Sequence, residues 1–371
     1  MMENDRFIPL ARPYVGSEEL DAVRRVLASR HLAQGPEVAA LEVEVSAILD
    51  GAGVVAVSSG GAALLAALTA LEIGPGAEVV VPVFAFPAAA QATFFLGAVP
   101  VPADVDPDTM AVTAGTIERV LTPRTRAVVV VHAFGIPACI EDIAALCRSR
   151  GLRLIEDAAC SLGGKTWTGA PSGTIADIGC FSMHPRKPAT SGEGGLLTAR
   201  DPTILARLRR FRDYGRTGGG PGDAFGEIGL NLRLGDVPAA IGRVQIGRLK
   251  GSIRLRGLLA DRYRRQFDSK PGMSVPSGYL RPGQTWQTFV VRLDRPADQV
   301  RRSLADDGIQ AGVTAHALTS QTFFRHRCPD VPACPVGEDL AMTTLALPLF
   351  DEMTRAQVDR VGDRLLALLA D

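Results

Sequence analysis

DIGCFSMHPRKPATSGEGG, residues Asp177–Gly195, sets one lysine, Lys187, between Pro185 and Pro188. Proline lacks an N–H donor and restricts the residue before it, so Lys187 sits on a turn, outside any regular helix or central strand. Before it, Ile178 to Met183 reads as a short buried strand. After it, Gly192, Gly194 and Gly195 let the backbone pass close to a neighbour before Leu196 and Leu197 open another strand. Of the 40 basic residues only Lys165, Lys187, Lys250 and Lys270 are lysines. Arginine supplies charge almost everywhere else, so a lysine at this fixed point suggests chemistry a guanidinium cannot do: losing a proton and forming a Schiff base with a carbonyl. On the loop alone, an ordinary solvated lysine is the other reading.

A chain of 371 residues is long enough for a large core and two lobes. Zero formal net charge argues against a nucleic-acid binder or a basic membrane-surface protein. The six cysteines (139, 147, 160, 180, 328 and 334) form no CxxC pair and have no histidines at zinc spacing, so they read as free thiols in a reducing cytoplasm, with no metal site. The opening MMENDRFIPL is charged and lacks the apolar run of a signal peptide. Val79–Ala103 carries no charge, but its four prolines and missing basic flanks favour a strand, a loop, a buried helix and a second strand over a membrane span.

The sequence predicts two amphipathic helices first, one capped by Ser17, the other opening at Pro36 with Val38, Leu41, Val45 and Ile48 inward. A strand at Val54–Val57 then runs through Ser58, Ser59, Gly60 and Gly61 into an apolar helix, Ala62 to Leu71. Free N–H groups, bare glycines and the helix dipole make that junction a candidate anion site, although glycine and serine also simply start helices. Strands at Glu78–Val81, Val99–Ala103, Arg126–Val131 and Arg153–Ile155, with a helix near Ile140–Arg150, give an α/β pattern with a mostly parallel sheet. Ligands of such sheets gather at the carboxyl ends of strands. Phe86, His132, Glu156, Asp157 and Ser182 all follow or end one. Asp157, after an apolar strand, is costly to bury without a positive partner such as a protonated pyridine nitrogen; capping the next turn is the simpler role. Beyond Gly195 come a helix at Pro202–Phe211 with Leu205, Leu208 and Phe211 inward, and a glycine-rich loop from Tyr214 to Gly226. A long arginine-rich helix spanning Arg243 to Arg265 reads as a solvated face. A smaller α/β unit closes the chain, its last helix opened by a Thr354–Gln357 capping box with Val358, Val361, Leu365 and Leu368 buried.

Together these features match the needs of pyridoxal phosphate: a lysine for the aldehyde, an acid for the ring nitrogen, a phosphate cup at a helix start and an aromatic ring. From Ile8 to about Leu369 the chain resembles the DegT/DnrJ/EryC1/StrS aminotransferases. The resemblance is carried by IPLARPYVGSEEL, LAQGPEVAALE, VAVSSGGAALLAAL, VVVPVFAFPAAA, GAVPVPADVDPDT, LIEDAACSLGG, ADIGCFSMHPRKPATSGEGG, GLNLRLGDVPAAIG and LALPLFDEMT. It implies the fold-type I architecture of pyridoxal-phosphate transferases: a large domain with a mixed, mostly parallel sheet flanked by helices (residues 1–245) and a smaller C-terminal α/β domain (residues 246–371). It implies Lys187 as the lysine that links the cofactor, Asp157 on the pyridine nitrogen and Phe86 on the ring face. The phosphate would take the Gly60 and Gly61 amides and the Ser182 hydroxyl. Asn231 matches the position that reaches the phosphate of the neighbouring subunit, with Arg233 close by, so the active unit is expected to be a homodimer. The reaction implied moves an amino group from glutamate or glutamine to a keto sugar, above all a nucleotide-linked 3- or 4-keto sugar of amino-sugar or antibiotic biosynthesis.

The chain departs from the family pattern in three places. Gly61 stands where many relatives carry threonine, so a hydroxyl is lost from the phosphate cup. Cys160 stands where glutamine or histidine commonly meets the ring hydroxyl. Val313, Thr314, Ala315 and His316 replace a segment that often carries a tyrosine, which leaves His316, with Arg233 and His184, as substrate-side candidates and leaves open an ordinary surface histidine. Lys187 argues against the relatives in which histidine replaces lysine for dehydration. A keto-cyclitol acceptor, or a cofactor-binding regulator without turnover, are the other readings.

Overall fold

The computed structural model describes residues 7–218 and 224–370. Gly219, Gly220 and Gly222 of the expected glycine loop, and the first six residues of the chain, lie outside the described residues.

Two helices open the chain, α1 (Ser17–Ser29) and α2 (Pro36–Ile48). Ser17 is not the cap of α1: Gly16 holds that position, and Glu19 accepts its N–H at 2.8 Å. In α2 Val38, Leu41 and Val45 are buried as expected, while Ile48 is only partly covered. Then come β1 (Gly53–Val57), α3 (Gly60–Ala70), β2 (Glu78–Pro82), the short β3 (Phe84–Ala85), α4 (Ala88–Phe95), β4 (Val99–Ala103) and α5 (Ala114–Glu118). The uncharged stretch Val79–Ala103 is thus strand, loop, helix and strand. Among the described residues no helix is long and apolar enough to cross a membrane. The alternation continues through β5 (Thr125–Val131), α6 (Ile140–Arg150), β6 (Arg153–Asp157), β7 (Ile178–Ser182), β8 (Gly195–Ala199) and α7 (Pro202–Arg212). In α7 Ile204, Leu208 and Phe211 are buried and Leu205 only partly so.

Seven strands form one sheet in the order β1-β8-β7-β6-β5-β2-β4. All neighbours are parallel except at β8, which runs against both β1 and β7. The central strands are mostly buried and apolar, Val-rich in β2 and β5, because helices cover the sheet and leave them no polar face. The consequence for the site is geometric. β1, β7, β6, β5 and β2 all end on one edge, and β8 begins there, so Gly195 is paired with both Val57 and Ser182.

Helix α8 (Asp236–Phe267) is 32 residues long and carries the arginine crowd. Only part of that run is a solvated face: Arg254 and Arg265 are exposed, while other arginines are tied to carboxylates. Arg243 pairs with Glu37 and Glu44 of α2, Arg248 with Glu18 and Glu19 of α1, and Arg262 with Asp359. Arg256 is 3% exposed and bonded to Asp351 at 2.6 Å. Arginine suits such ties because its planar fork bonds carboxylates at two points. The rest of the chain adds β9 (Met273–Ser274), β10 (Phe289–Leu293), α9 (Ala297–Asp306), β11 (His316–Ala317), α10 (Thr322–Arg327), α11 (Pro335–Thr343), β12 (Thr344–Leu347) and α12 (Arg355–Ala370). A second sheet has the order β12-β10-β9, and β11 pairs with β3 of the first region. The Thr354–Gln357 capping box is reciprocal, at 2.9 and 3.2 Å, and α12 buries Val358, Val361, Leu365 and Leu369, with Leu368 only partly covered. The division at residues 245 and 246 remains a proposal; α8 runs unbroken through it.

Candidate active site

The strand-to-helix junction forms as the sequence suggests, with the helix beginning two residues earlier than expected. Helix α3 starts at Gly60, and Ser59 is its cap, accepting the Ala62 N–H at 3.1 Å. The remaining N–H groups of that first turn, Gly60 and Gly61 among them, have no partner within the helix. Glycine is required by close approach. A Cβ on Gly60 would lie 2.9 Å from the Ser182 Cβ, and one on Gly195 would lie 2.2 Å from the Ser59 carbonyl oxygen. The helix start is therefore pressed onto the beginning of β8 and against Ser182, whose hydroxyl accepts the His184 N–H at 3.3 Å. Amides, a hydroxyl and the positive end of a helix dipole converge here, which is a phosphate-binding arrangement.

Lys187 lies on the turn between Pro185 and Pro188, its N–H closing onto the His184 carbonyl at 2.9 Å. Its Nζ donates to Cys160 Sγ at 3.0 Å. Cys160 comes three residues after Asp157, so the lysine amine, the thiol and the carboxylate belong to two adjacent strand ends. Asp157 accepts the Ala159 N–H at 3.1 Å. Burial pushes its carboxyl above the ordinary value, and the Ala159 amide and the Lys187 charge offset only part of that. Such a carboxylate suits a cationic ligand atom, which would return the group to its charged form.

Phe86 follows β3 on the same edge and is 74% exposed. His316 is brought to it: β11 pairs with β3, His316 standing opposite Ala85. His184 accepts the Arg186 N–H on Nδ1 at 3.2 Å, with Glu193 4.0 Å from Nε2; burial holds its pKa below the ordinary value. Asn231 is exposed, on a segment that bridges Asp213 and runs beside β1 through Ser58 and Val57. Arg233, next along, is ion-paired with Asp213 and lies over the Tyr214 ring at 5.6 Å.

Two strand-end residues turn away from the edge. His132 and Glu156 are both fully buried, Nε2 to Oε1 at 2.7 Å. His132 Nδ1 accepts the Ala138 N–H at 3.0 Å, so the ring proton sits on Nε2 and is donated to Glu156. Glu156 also accepts the N–H groups of Gly173 at 2.5 Å, Ile175 at 3.1 Å and Ala176 at 3.3 Å. Burial alone would raise its carboxyl, but the His132 hydrogen bond and these amides outweigh it and hold it below the ordinary value. The pair fixes the loops after β5 and β6, immediately behind Asp157. The sequence signal for it was a histidine and a glutamate at the ends of neighbouring strands, but only the sheet register makes them partners.

The edge thus offers an anion cup, a carboxylate suited to a cationic nitrogen, and a lysine between them. A phosphorylated aromatic aldehyde with a basic ring nitrogen fits that donor set. Residues 13–366 match the DegT/DnrJ/EryC1/StrS aminotransferase family. The chain is 34% identical to a dTDP-4-dehydro-2,3,6-trideoxy-D-glucose 4-aminotransferase of Saccharopolyspora spinosa, over 96% of this chain and 95% of that protein. It is 35% identical to a UDP-N-acetyl-3-dehydro-alpha-D-glucosamine 3-aminotransferase of Acidithiobacillus ferrooxidans, over 93% and 92% of the two chains. Among solved structures, the aminotransferase TlmJ from Streptoalloteichus hindustanus superposes with a TM-score of 0.93 at 33% identity, covering 98% of this chain and 99% of that one. Fold and sequence agree, and the chain belongs to the DegT/DnrJ/EryC1/StrS aminotransferase family, whose members are pyridoxal-phosphate-dependent enzymes.

Proposed function

We propose that this enzyme moves an amino group from glutamate or glutamine to a nucleotide-linked (dTDP, UDP or GDP) 3- or 4-keto sugar, as a homodimer in the cytoplasm, in amino-sugar or antibiotic biosynthesis. The observation that carries the chemistry is the Lys187–Cys160–Asp157 cluster beside the α3 N-terminus. The acceptor class rests on the two sugar-nucleotide aminotransferases to which the chain is most of a length match.

When bound, pyridoxal phosphate supplies the electron sink that lets an amino acid lose its α-proton. The residues of this chain do the rest. The Gly60 and Gly61 amides and the Ser182 hydroxyl donate to its phosphate, and Phe86 covers one ring face. Asp157 keeps a proton on the ring nitrogen by pairing with it, which stabilises the carboxylate in turn. Lys187 Nζ would hold the cofactor's aldehyde carbon and, as a free amine, would serve as the general base for the α-proton of the amino donor. Cys160 Sγ, 3.0 Å from Nζ, orients that amine. The partner subunit's Asn231 completes the phosphate cup, which accounts for an exposed amide beside β1. His316, His184 and Arg233 are assigned to the acceptor.

The test is amination of purified 3-keto and 4-keto sugar nucleotides with glutamate or glutamine as donor, read by product mass. A product on one of these acceptors supports the proposal. Turnover confined to keto-cyclitols or other ketones without a nucleotide would refute the acceptor class.

A further inference from the structure

The catalytic lysine is tied to the C-terminal region by a segment, Gly283–Gln287, that precedes β10. Thr285 is fully buried and makes two bonds into the site: its N–H donates to the Gly135 carbonyl at 3.1 Å and its hydroxyl to the Cys160 carbonyl at 2.5 Å. Two residues on, the Gln287 amide reaches the Arg186 carbonyl at 3.4 Å, immediately before Lys187. On the far side of the lysine the Pro188 carbonyl takes the Ser252 hydroxyl of α8 at 3.5 Å. The loops after β5, β6 and β7 are therefore all held by one segment from outside the main sheet.

The chain gives up conformational freedom to seat it. Trp286, between Thr285 and Gln287, has φ +56, and Phe134, beside Gly135, has φ +61. Left-handed backbone at a bulky aromatic is strained, and it persists where the surroundings over-determine it. Trp286 is pinned by its ring, 5.1 Å from that of Tyr279. Glycine is needed opposite: a Cβ on Gly135 would lie 2.2 Å from Thr285 Oγ1, and one on Gly164 would lie 3.0 Å from Thr285 Cγ2.

We infer that Thr285, seconded by Gln287, is a positioning residue for Lys187. By holding the Cys160 carbonyl it fixes the thiol that receives the Nζ hydrogen bond at 3.0 Å, and so fixes where the amine waits. Proton transfer is sensitive to displacements on the order of 1 Å. The inference rests on Lys187 being the cofactor-linking base.

Thr285→Val removes the hydroxyl at nearly constant shape, and Thr285→Ser keeps it. The expected result with Thr285→Val is a fall of about tenfold in kcat with the KM for the amino donor nearly unchanged. The pH midpoint of the visible absorbance of lysine-bound cofactor should also shift, by about half a unit or more. Thr285→Ser should restore both. A merely structural threonine would lower the unfolding temperature and leave that midpoint where it is. A midpoint and kcat like those of the parent in Thr285→Val would overturn the inference, as would equal shifts in the valine and serine variants. If Thr285→Val does not fold, Gln287→Leu replaces it: a shift of that midpoint with a fall in kcat supports the inference, and an unmoved midpoint overturns it. A parent protein that shows no lysine-bound absorbance fails at the earlier step, the proposed function itself.

Discussion

Replacing Asp157 by asparagine separates what the carboxylate does for folding from what it does for chemistry. Burial raises the Asp157 pKa above its ordinary 3.8 in the folded protein. A carboxyl raised on folding contributes stability that is complete below the unfolded pKa and is lost as pH rises through the folded one. At pH 7 the charge therefore opposes folding of the cofactor-free chain. Asparagine keeps the oxygen that accepts the Ala159 N–H at 3.1 Å and removes the charge. Relief of an incompletely satisfied buried group stabilises by about 1–3 kcal/mol. At roughly 2.1 cal/mol/K per residue over 371 residues, that raises Tm by about 1–4 °C. The gain should vanish below about pH 4, where aspartate is protonated in both states. Catalysis should move the other way, falling by about 10²–10³-fold because the ring proton loses its partner. Thermal unfolding of the cofactor-free proteins at pH 7 and pH 4, alongside turnover, is the assay. An asparagine variant less stable than the parent at pH 7 would refute the reasoning, since it would mean that Lys187 and the Ala159 amide fully compensate the buried carboxylate.

Gly195→Ala puts a methyl 2.2 Å from the Ser59 carbonyl and 2.8 Å from the Gly60 nitrogen, so the phosphate cup must shift; cofactor affinity should fall about tenfold or more, measured by titration. Glu156→Gln turns an NH₂ group toward buried N–H donors whichever way it faces, and should cost about 1–3 kcal/mol in chemical denaturation at pH 7. Because the Glu156 pKa is held below 4.5 on folding, its contribution is present above that value and lost as pH falls through the folded pKa, so the gap between parent and variant should narrow in acid. Mixing Lys187→Ala and Asn231→Ala proteins should restore activity if each site takes its lysine from one subunit and its asparagine from the other, since the mixed dimer holds one intact site; no recovery in verified heterodimers would remove Asn231 from the partner's site.

The parts of the site that were legible in the sequence are local ones. Prolines around Lys187, a glycine-serine junction before an apolar helix, and an acid closing an apolar strand each announce themselves within about ten residues. The alternation of strands and helices then puts them on one edge, because parallel strands connected by helices all end together. What the sequence does not carry is distance across the fold. Glu18, Glu19, Glu37 and Glu44 lie some 200 positions before the arginines of α8, so a charge run that pairs with two earlier helices reads as solvated. Arg256 finds Asp351 95 residues on, and Thr285 finds Cys160 125 residues back. His132 and Glu156 looked like ligands of the edge by their place at strand ends, but the register turns them to each other in the interior. The Cys160 position was visible as a departure, and only the folded chain shows its sulfur against the lysine amine.

The most direct test of the central claim is the visible absorbance of the purified protein with pyridoxal phosphate, before and after adding glutamate or glutamine, with Lys187→Ala in parallel. The account predicts a lysine-bound absorbance in the parent that the amino donor converts to that of pyridoxamine phosphate, and no lysine-bound absorbance in the variant. A parent without that absorbance, or one whose absorbance neither donor moves, would contradict it.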